Sequence, residues 1–152
     1  PYEGKPLTNW DYTRFNPAYF QNIERRILQL DSLGIEADLI VFHPYDRWGF
    51  RKMERKADDL YMNYIIARFA AYKNVWWSMA NEYDFINEKK TEDWNHFIQF
   101  FAANDPYNHL RSIHNGTAIF DHTNPLLTHV SYQHEETFKA KDLRTKYKKP
   151  VI

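Results

Sequence analysis

The sequence has no cysteine, only 4 glycines among 152 residues, and no net charge to offer a partner, with 20 basic and 20 acidic residues in balance. Without cysteine there are no disulfides, no thiolate zinc sites and no cysteine nucleophiles. The charge balance removes the electrostatic case for nucleic acid or an anionic membrane surface as partner. No apolar run approaches the roughly 20 residues needed to cross a bilayer. The residues from Pro1 onward carry no signal-peptide pattern, so localisation is not read from them. With so little glycine and no low-complexity stretch or linker, one domain with one sizeable core is the expectation. What the chain has in abundance is rings: 18% of its residues are aromatic, with 5 Trp, 11 Tyr and 11 Phe. A core uses most of these, though flat sugar faces also pack on indole and phenol.

Read in order, Pro1 to Asn16 is polar and aromatic, with Pro6 and Asn9-Trp10-Asp11 as turn material, and predicts a loop. Asn16-Pro17 opens a helix, as N-cap and first helical residue. Its apolar face is expected to comprise Tyr19, Phe20, Ile23, Ile27, Leu28, Leu30 and Leu33, with Gly34 past its end. Glu36 to His43 predicts a strand, and His43-Pro44-Tyr45-Asp46-Arg47-Trp48-Gly49-Phe50 the loop after it. Met53 to Tyr72 is the longest helix, its Tyr61, Tyr64, Ile65, Arg68, Phe69 and Tyr72 stripe reading as core. A strand over Val75–Ala80 follows, then a helix from Thr91, as N-cap, to about Ala103. That helix buries Trp94, Phe97, Ile98 and Phe101 and leaves His96 in solvent. Leu110–Ile113 and Leu126–Tyr132 predict two more strands, Glu135–Tyr147 a helix, and Lys149–Ile152 the start of another strand. Helix and strand alternate, which means an α/β fold with a parallel sheet.

The stretch Asn74-Val75-Trp76-Trp77-Ser78-Met79-Ala80-Asn81-Glu82-Tyr83-Asp84 organises the rest. A short apolar run ends abruptly in an amide, a carboxylate, a phenol and a second carboxylate, where a parallel sheet keeps its ligands. The polar residues closing the other predicted strands are His43, His114, Asn115, Gln133 and His134. Each histidine alone reads equally well as a strand cap. Metal binding by His43, His114 and His134 is a weaker alternative, because no two lie at close ligand spacing.

The eleven-residue string resembles the fourth-strand motif of the retaining glycoside hydrolases of clan A, and more narrowly that of the cellulase-like and apiosidase-like glycosidases. The resemblance implies that the chain is α/β in fold, a partial (β/α)8 TIM barrel with parallel strands and flanking helices. About 250 residues are typical of that barrel, so residues 1–152 are expected to be a fragment of a single catalytic domain, covering strands three to seven. It implies that Glu82 is the general acid/base and that Asn81 contacts the sugar 2-hydroxyl. Substrate-binding roles fall to His43, Tyr45, Trp48, His114 and Gln133. Asp84 is expected to orient or cap rather than catalyse. The acid must hold its proton near neutrality, and aromatic surface from Trp76, Trp77 or Tyr83 is the expected source of desolvation. The nucleophile of the family, a Glu at the end of strand seven, is expected beyond Ile152; Glu135 and Glu136 match nothing, and Asp46 is a second carboxylate without family support.

The function so implied is retaining hydrolysis of β-linked poly- or oligosaccharide, in the periplasm or outside the cell, with no cofactor or metal. The fragment alone is expected to be inactive and to self-associate through open sheet edges. Two other readings stay open on the residues themselves. One is a non-catalytic carbohydrate-binding or pseudoenzyme barrel using Tyr45, Trp48 and Tyr83 as platforms. The other is a metal-dependent hydrolase.

Overall fold

The computed structural model describes residues 1–5 and 8–152. It is a mixed α/β structure. Strands β3 (Ala37–Phe42), β4 (Val75–Ala80) and β5 (Arg111–Ser112) form a parallel sheet in that order. Helices α1 (Pro17–Ser32), α2 (Arg55–Phe69) and α3 (Thr91–Asn104) connect and cover it, and α4 (Ala140–Tyr147) follows near the end. Two isolated parallel bridges, His114 to Ser131 and Val130 to Val151, continue the sheet beyond β5.

The N-terminal segment departs from the loop expected of it. Strands β1 (Tyr2–Lys5) and β2 (Asn9–Phe15) form an antiparallel hairpin. Its register shifts between Tyr2 and Glu3, which breaks the period-two alternation that would have announced it. Rings hold it to the helices: Tyr2 stacks on Phe15 at 4.9 Å and Phe15 on Tyr64 at 3.9 Å between centroids. Pro6, read as turn material, lies outside the described residues.

Helix α1 begins and ends as its sequence dictates. The Asn16 side chain accepts the Tyr19 N–H at 3.1 Å, with Pro17 at the first helical position. At the other end Gly34 has φ +70°, and the Gly34 and Ile35 N–H groups bond back to Asp31 and Leu30. That pair of bonds is a Schellman closure, which needs the left-handed residue. The buried face is narrower than the periodicity suggested. Phe20 and Ile27 are buried, with Ile23 and Leu30 packed beside them, whereas Tyr19, Leu28 and Leu33 face out.

In α2 the core stripe is Met62, Ile65, Ile66 and Phe69, with Tyr61 and Tyr64 at its margin, and Tyr72, expected within the helix, lies beyond its end. Helix α3 buries Trp94, Phe97, Ile98 and Phe101 as expected, and each such side chain contributes about 1.5–3 kcal/mol by leaving water. Two details differ. Thr91 is the first helical residue rather than the cap, because Asp93 reaches back to accept the Lys90 N–H at 2.8 Å. His96 is not simply solvated; its Nε2 meets Asp59 on α2 at 2.6 Å.

Strand β4 runs through the middle of the sheet, and its two tryptophans take opposite faces. Trp77 packs on Phe101 of α3 and donates its indole N–H to Asp105 at 3.0 Å. Trp76 meets the ring of His129 on the other side. The strand expected over Leu126–Tyr132 is not regular. Side-chain hydroxyls replace ladder partners there: Arg111 N–H donates to Thr128 Oγ1 at 2.8 Å, and Ser131 N–H to Ser112 Oγ at 3.2 Å. The backbone is satisfied without a continuous ladder. The helix expected over Glu135–Tyr147 starts late, a 3-10 turn at Thr137–Lys139 leading into α4.

Candidate active site

The carboxyl end of β4 is pinned from both sides. Asn81 N–H donates to Phe42 O on β3 at 3.0 Å, and Tyr83 N–H donates to His114 O beyond β5 at 3.0 Å. Between these anchors Glu82 takes the left-handed backbone, φ 46° and ψ 54°. A non-glycine residue there is strained by roughly 1–3 kcal/mol and persists only where its surroundings fix it. The two flanking ladder bonds do so here.

The Glu82 carboxylate is held by side chains from two other strand ends. The Tyr45 phenol donates to Oε2, and the Gln133 amide donates to Oε1 at 2.8 Å. Tyr45 comes from the loop after β3 and Gln133 from the segment after the Val130 bridge, 37 and 51 residues away. Next to this carboxylate, Asn81 Oδ1 meets His114 Nδ1 at 2.9 Å. Burial holds His114 below its usual range, against the pull of the Glu82 and Asp84 carboxylates. A neutral imidazole donating from Nδ1 follows. Asn81 also lines a cleft of about 380 Å³ with His43, Trp48, Tyr61 and Ile40 at the β3 edge. The residues singled out in the sequence are thus connected: Tyr45 and Gln133 through Glu82, His114 through Asn81, and His43 and Trp48 through the cleft.

Other candidates turn away. His134 stacks on Tyr132 and accepts the Glu136 N–H at 3.0 Å, apart from the β4 end. Asp46, the alternative second carboxylate, is occupied by its own loop. It accepts the Trp48 and Phe50 N–H groups at 2.9 and 3.0 Å, and also those of Gly49 and Arg51. The aromatic neighbours expected for Glu82 are likewise elsewhere: Trp77 is in the core, Trp76 against His129, and Tyr83 edge-on to Trp94 and Phe120. The ring that reaches the carboxylate is Tyr45. Among the described residues no three His, Cys, Asp or Glu side chains gather at metal-binding spacing.

Three supporting residues frame this group. Asp84 accepts the Gly116, Thr117 and Ala118 N–H groups at 2.6, 2.8 and 2.8 Å, plus the Thr117 hydroxyl at 3.0 Å. Burial would raise its carboxyl, but these donors outweigh it and hold it below the usual carboxylate range. Asn115, singled out in the sequence as a polar residue closing a strand, is buried and brackets Gln133: its side chain donates to Gln133 O at 3.2 Å and accepts Gln133 N–H at 3.3 Å. Tyr12, on the hairpin missed in the sequence, donates its phenol to Trp48 O at 2.9 Å and steadies the loop that carries Tyr45.

Comparison with known proteins bears on the family and the fold. A protein of Bacteroides vulgatus ATCC 8482, described as a candidate glycoside hydrolase, superposes with a TM-score of 0.90 at 49% identity over 94% of this chain. A glycoside hydrolase family 5 protein from the same organism superposes with a TM-score of 0.65 at 16% identity over 88% of the chain, a likeness of fold alone. The chain spans 29% and 33% of the lengths of these two proteins. No curated protein gives a significant match. Residues 1–152 match, over their whole length, the family described as apiosidase-like, catalytic domain, and the chain belongs to that family.

Proposed function

We propose that this chain is part of a retaining glycosidase for β-linked poly- or oligosaccharide, with Glu82 as general acid/base. The observation that carries the reading is Glu82 itself. A carboxylate stands at the carboxyl end of the central parallel strand, on strained backbone, held on each oxygen by a side chain from a different strand end. Glycoside hydrolysis asks for such a group: one carboxylic acid protonates the leaving oxygen while a second carboxylate attacks the anomeric carbon, about 5–5.5 Å away in retaining enzymes. Asn81 beside it contacts the sugar 2-hydroxyl, and the cleft with His43 and Trp48 receives a sugar ring. The strands form one sector of a (β/α)8 barrel, whose catalytic groups collect at this end.

In this reading the second carboxylate lies past the segment that Val151 bridges to Val130. That segment runs parallel to the one carrying Gln133, with Ile152 N–H bonded to Val130 O and Tyr132 N–H bonded to Ile152 O, both at 2.9 Å. Its continuation reaches the same mouth beside Gln133. The test compares wild-type full-length protein with Glu82→Gln on plant polysaccharides and aryl β-glycosides. A loss of roughly 10²–10⁴-fold in turnover is expected, the usual contribution of a positioned proton donor. Undiminished turnover in the variant would overturn the assignment of Glu82. Saturable binding without turnover in the wild type would favour a carbohydrate-binding protein instead.

A further inference from the structure

The two donors on Glu82 are not equivalent. Gln133 projects from backbone fixed on both its N–H and its C=O by the buried Asn115. Tyr45 stands on a loop whose backbone is equally well fixed, by Asp46 across residues 48–51 and by Arg51 donating to Pro44 O at 3.1 Å. Its ring, however, is 65% exposed, and among the described residues no other ring packs against it. Rotation about its own side-chain bonds is enough to release it, and the phenol then exchanges one hydrogen bond for another with water, at little net cost.

The two donors also pose a chemical conflict. With a donor on each oxygen, Glu82 has neither oxygen free for a substrate, whereas an acid catalyst must stand within hydrogen-bond reach of the leaving oxygen it protonates. Resting on the glycosidase reading above, we propose that Tyr45 is a displaceable positioning residue. Its phenol holds Glu82 in the free enzyme, and the leaving-group oxygen of an incoming glycoside takes its place on Oε2, while Gln133 stays on Oε1. As the phenol swings out it keeps its own proton, and Glu82 takes one up from solvent, ready to pass it to the glycosidic oxygen. Tyr45 is suited to this: the bond to Glu82 foremost, then burial and the charge of Glu82, raise its phenol above the usual tyrosine range, so it remains a donor. The remaining titratable neighbours are His114, which burial lowers, and Asp84, which backbone amides keep ionised. Neither gains a proton on the alkaline side of neutrality.

The prediction separates free from bound enzyme. Full-length Tyr45→Phe and Gln133→Leu are compared with wild type on a panel of phenyl β-glycosides, whose leaving oxygen needs a proton. A bond that the substrate must displace weakens kcat/KM, which refers to the free enzyme, and not kcat, which refers to the bound one. Tyr45→Phe is expected to raise kcat/KM by about 2–5-fold, the gain falling in KM rather than in kcat, because the phenol holds Oε2 only in the free state. Gln133→Leu is expected to lower kcat, because its donor stays on Oε1 through the reaction. A kcat/KM unmoved or lowered by Tyr45→Phe, or a change that falls in kcat, would overturn the inference while leaving the glycosidase reading intact. Absence of turnover on every substrate, or turnover unaffected by Glu82→Gln, would overturn both.

Discussion

Asp84 and Glu82 stand two residues apart beyond β4, and their surroundings differ in kind. Asp84 is committed to structure, its oxygens filled by three consecutive backbone N–H groups and a hydroxyl. Glu82 is held only by side chains, Tyr45 and Gln133, from segments distant in sequence. Backbone donors cannot leave without unmaking a loop, while side-chain donors can rotate. A carboxylate meant to exchange partners with a substrate is served by the second arrangement, and one meant to hold a loop still by the first. A third carboxylate, Asp58, shows another extreme. It is buried on α2 with Lys89, whose ammonium also donates to Met53 O at 2.7 Å. Burial raises Asp58 to about 7 even against the attraction of Lys89.

Substitutions can break or sharpen this contrast. The largest effect on function falls on Glu82: Glu82→Gln should lose 10²–10⁴-fold in turnover, roughly, and leave the melting temperature nearly unchanged. A large loss of stability would mean that Glu82 too is structural. The largest effect on stability falls on the buried pair. Lys89→Met should destabilise by about 3–5 kcal/mol, since it leaves a buried charge without its partner. Because the folded-state pKa of Asp58 lies above its unfolded value, the protonated form favours folding, and that contribution is present at low pH and lost as pH rises through about 7. The Lys89→Met deficit, measured by denaturant unfolding, should therefore be smaller at pH 5 than at pH 8; equal deficits would count against a buried, protonatable Asp58.

Asp84→Ala comes next, at about 1–3 kcal/mol for the backbone donors it leaves unpaired. Here the sign is reversed. Asp84 is depressed in the folded state, so its stabilisation is present above the ordinary carboxylate range and lost as pH falls through the depressed value. The variant should lose less stability on acidification than wild type does, and an identical acid profile would refute the role given to Asp84. The smallest effect belongs to Asp31, paired at 3.4 Å with Lys73, which is 83% exposed. Lys73→Ala should change stability by less than about 0.5 kcal/mol, as solvent-screened pairs do; a larger change in unfolding midpoint would show that exposure is the wrong way to rank these carboxylates.

Much of the frame was legible because local chemistry wrote it. Asn16-Pro17 and Gly34 bound α1, and the apolar run ending at Asn81-Glu82 bounds β4. The hairpin was not legible, since a register shift removes its alternation and its rings are stabilised by partners such as Tyr64, far along the chain. The segment 126–132 read as a strand because it is apolar. Leu127 and Val130 are indeed buried, but the hydroxyls of Ser112 and Thr128 stand in for ladder partners. In the site, residue types and strand ends could be read, but pairings could not. Nothing local to Tyr45 or Gln133 says that both reach Glu82 rather than a sugar, because that depends on how three separate strand ends converge.

The left-handed backbone at Glu82 bears on any attempt to improve this protein by selection. Glycine is at ease in that conformation, whereas glutamate is not. Libraries screened only for heat resistance or yield would therefore be drawn toward Glu82→Gly, gaining robustness by erasing the reacting group. A screen that couples survival to turnover would reject the same change, and position 82 would be where the two kinds of selection part company.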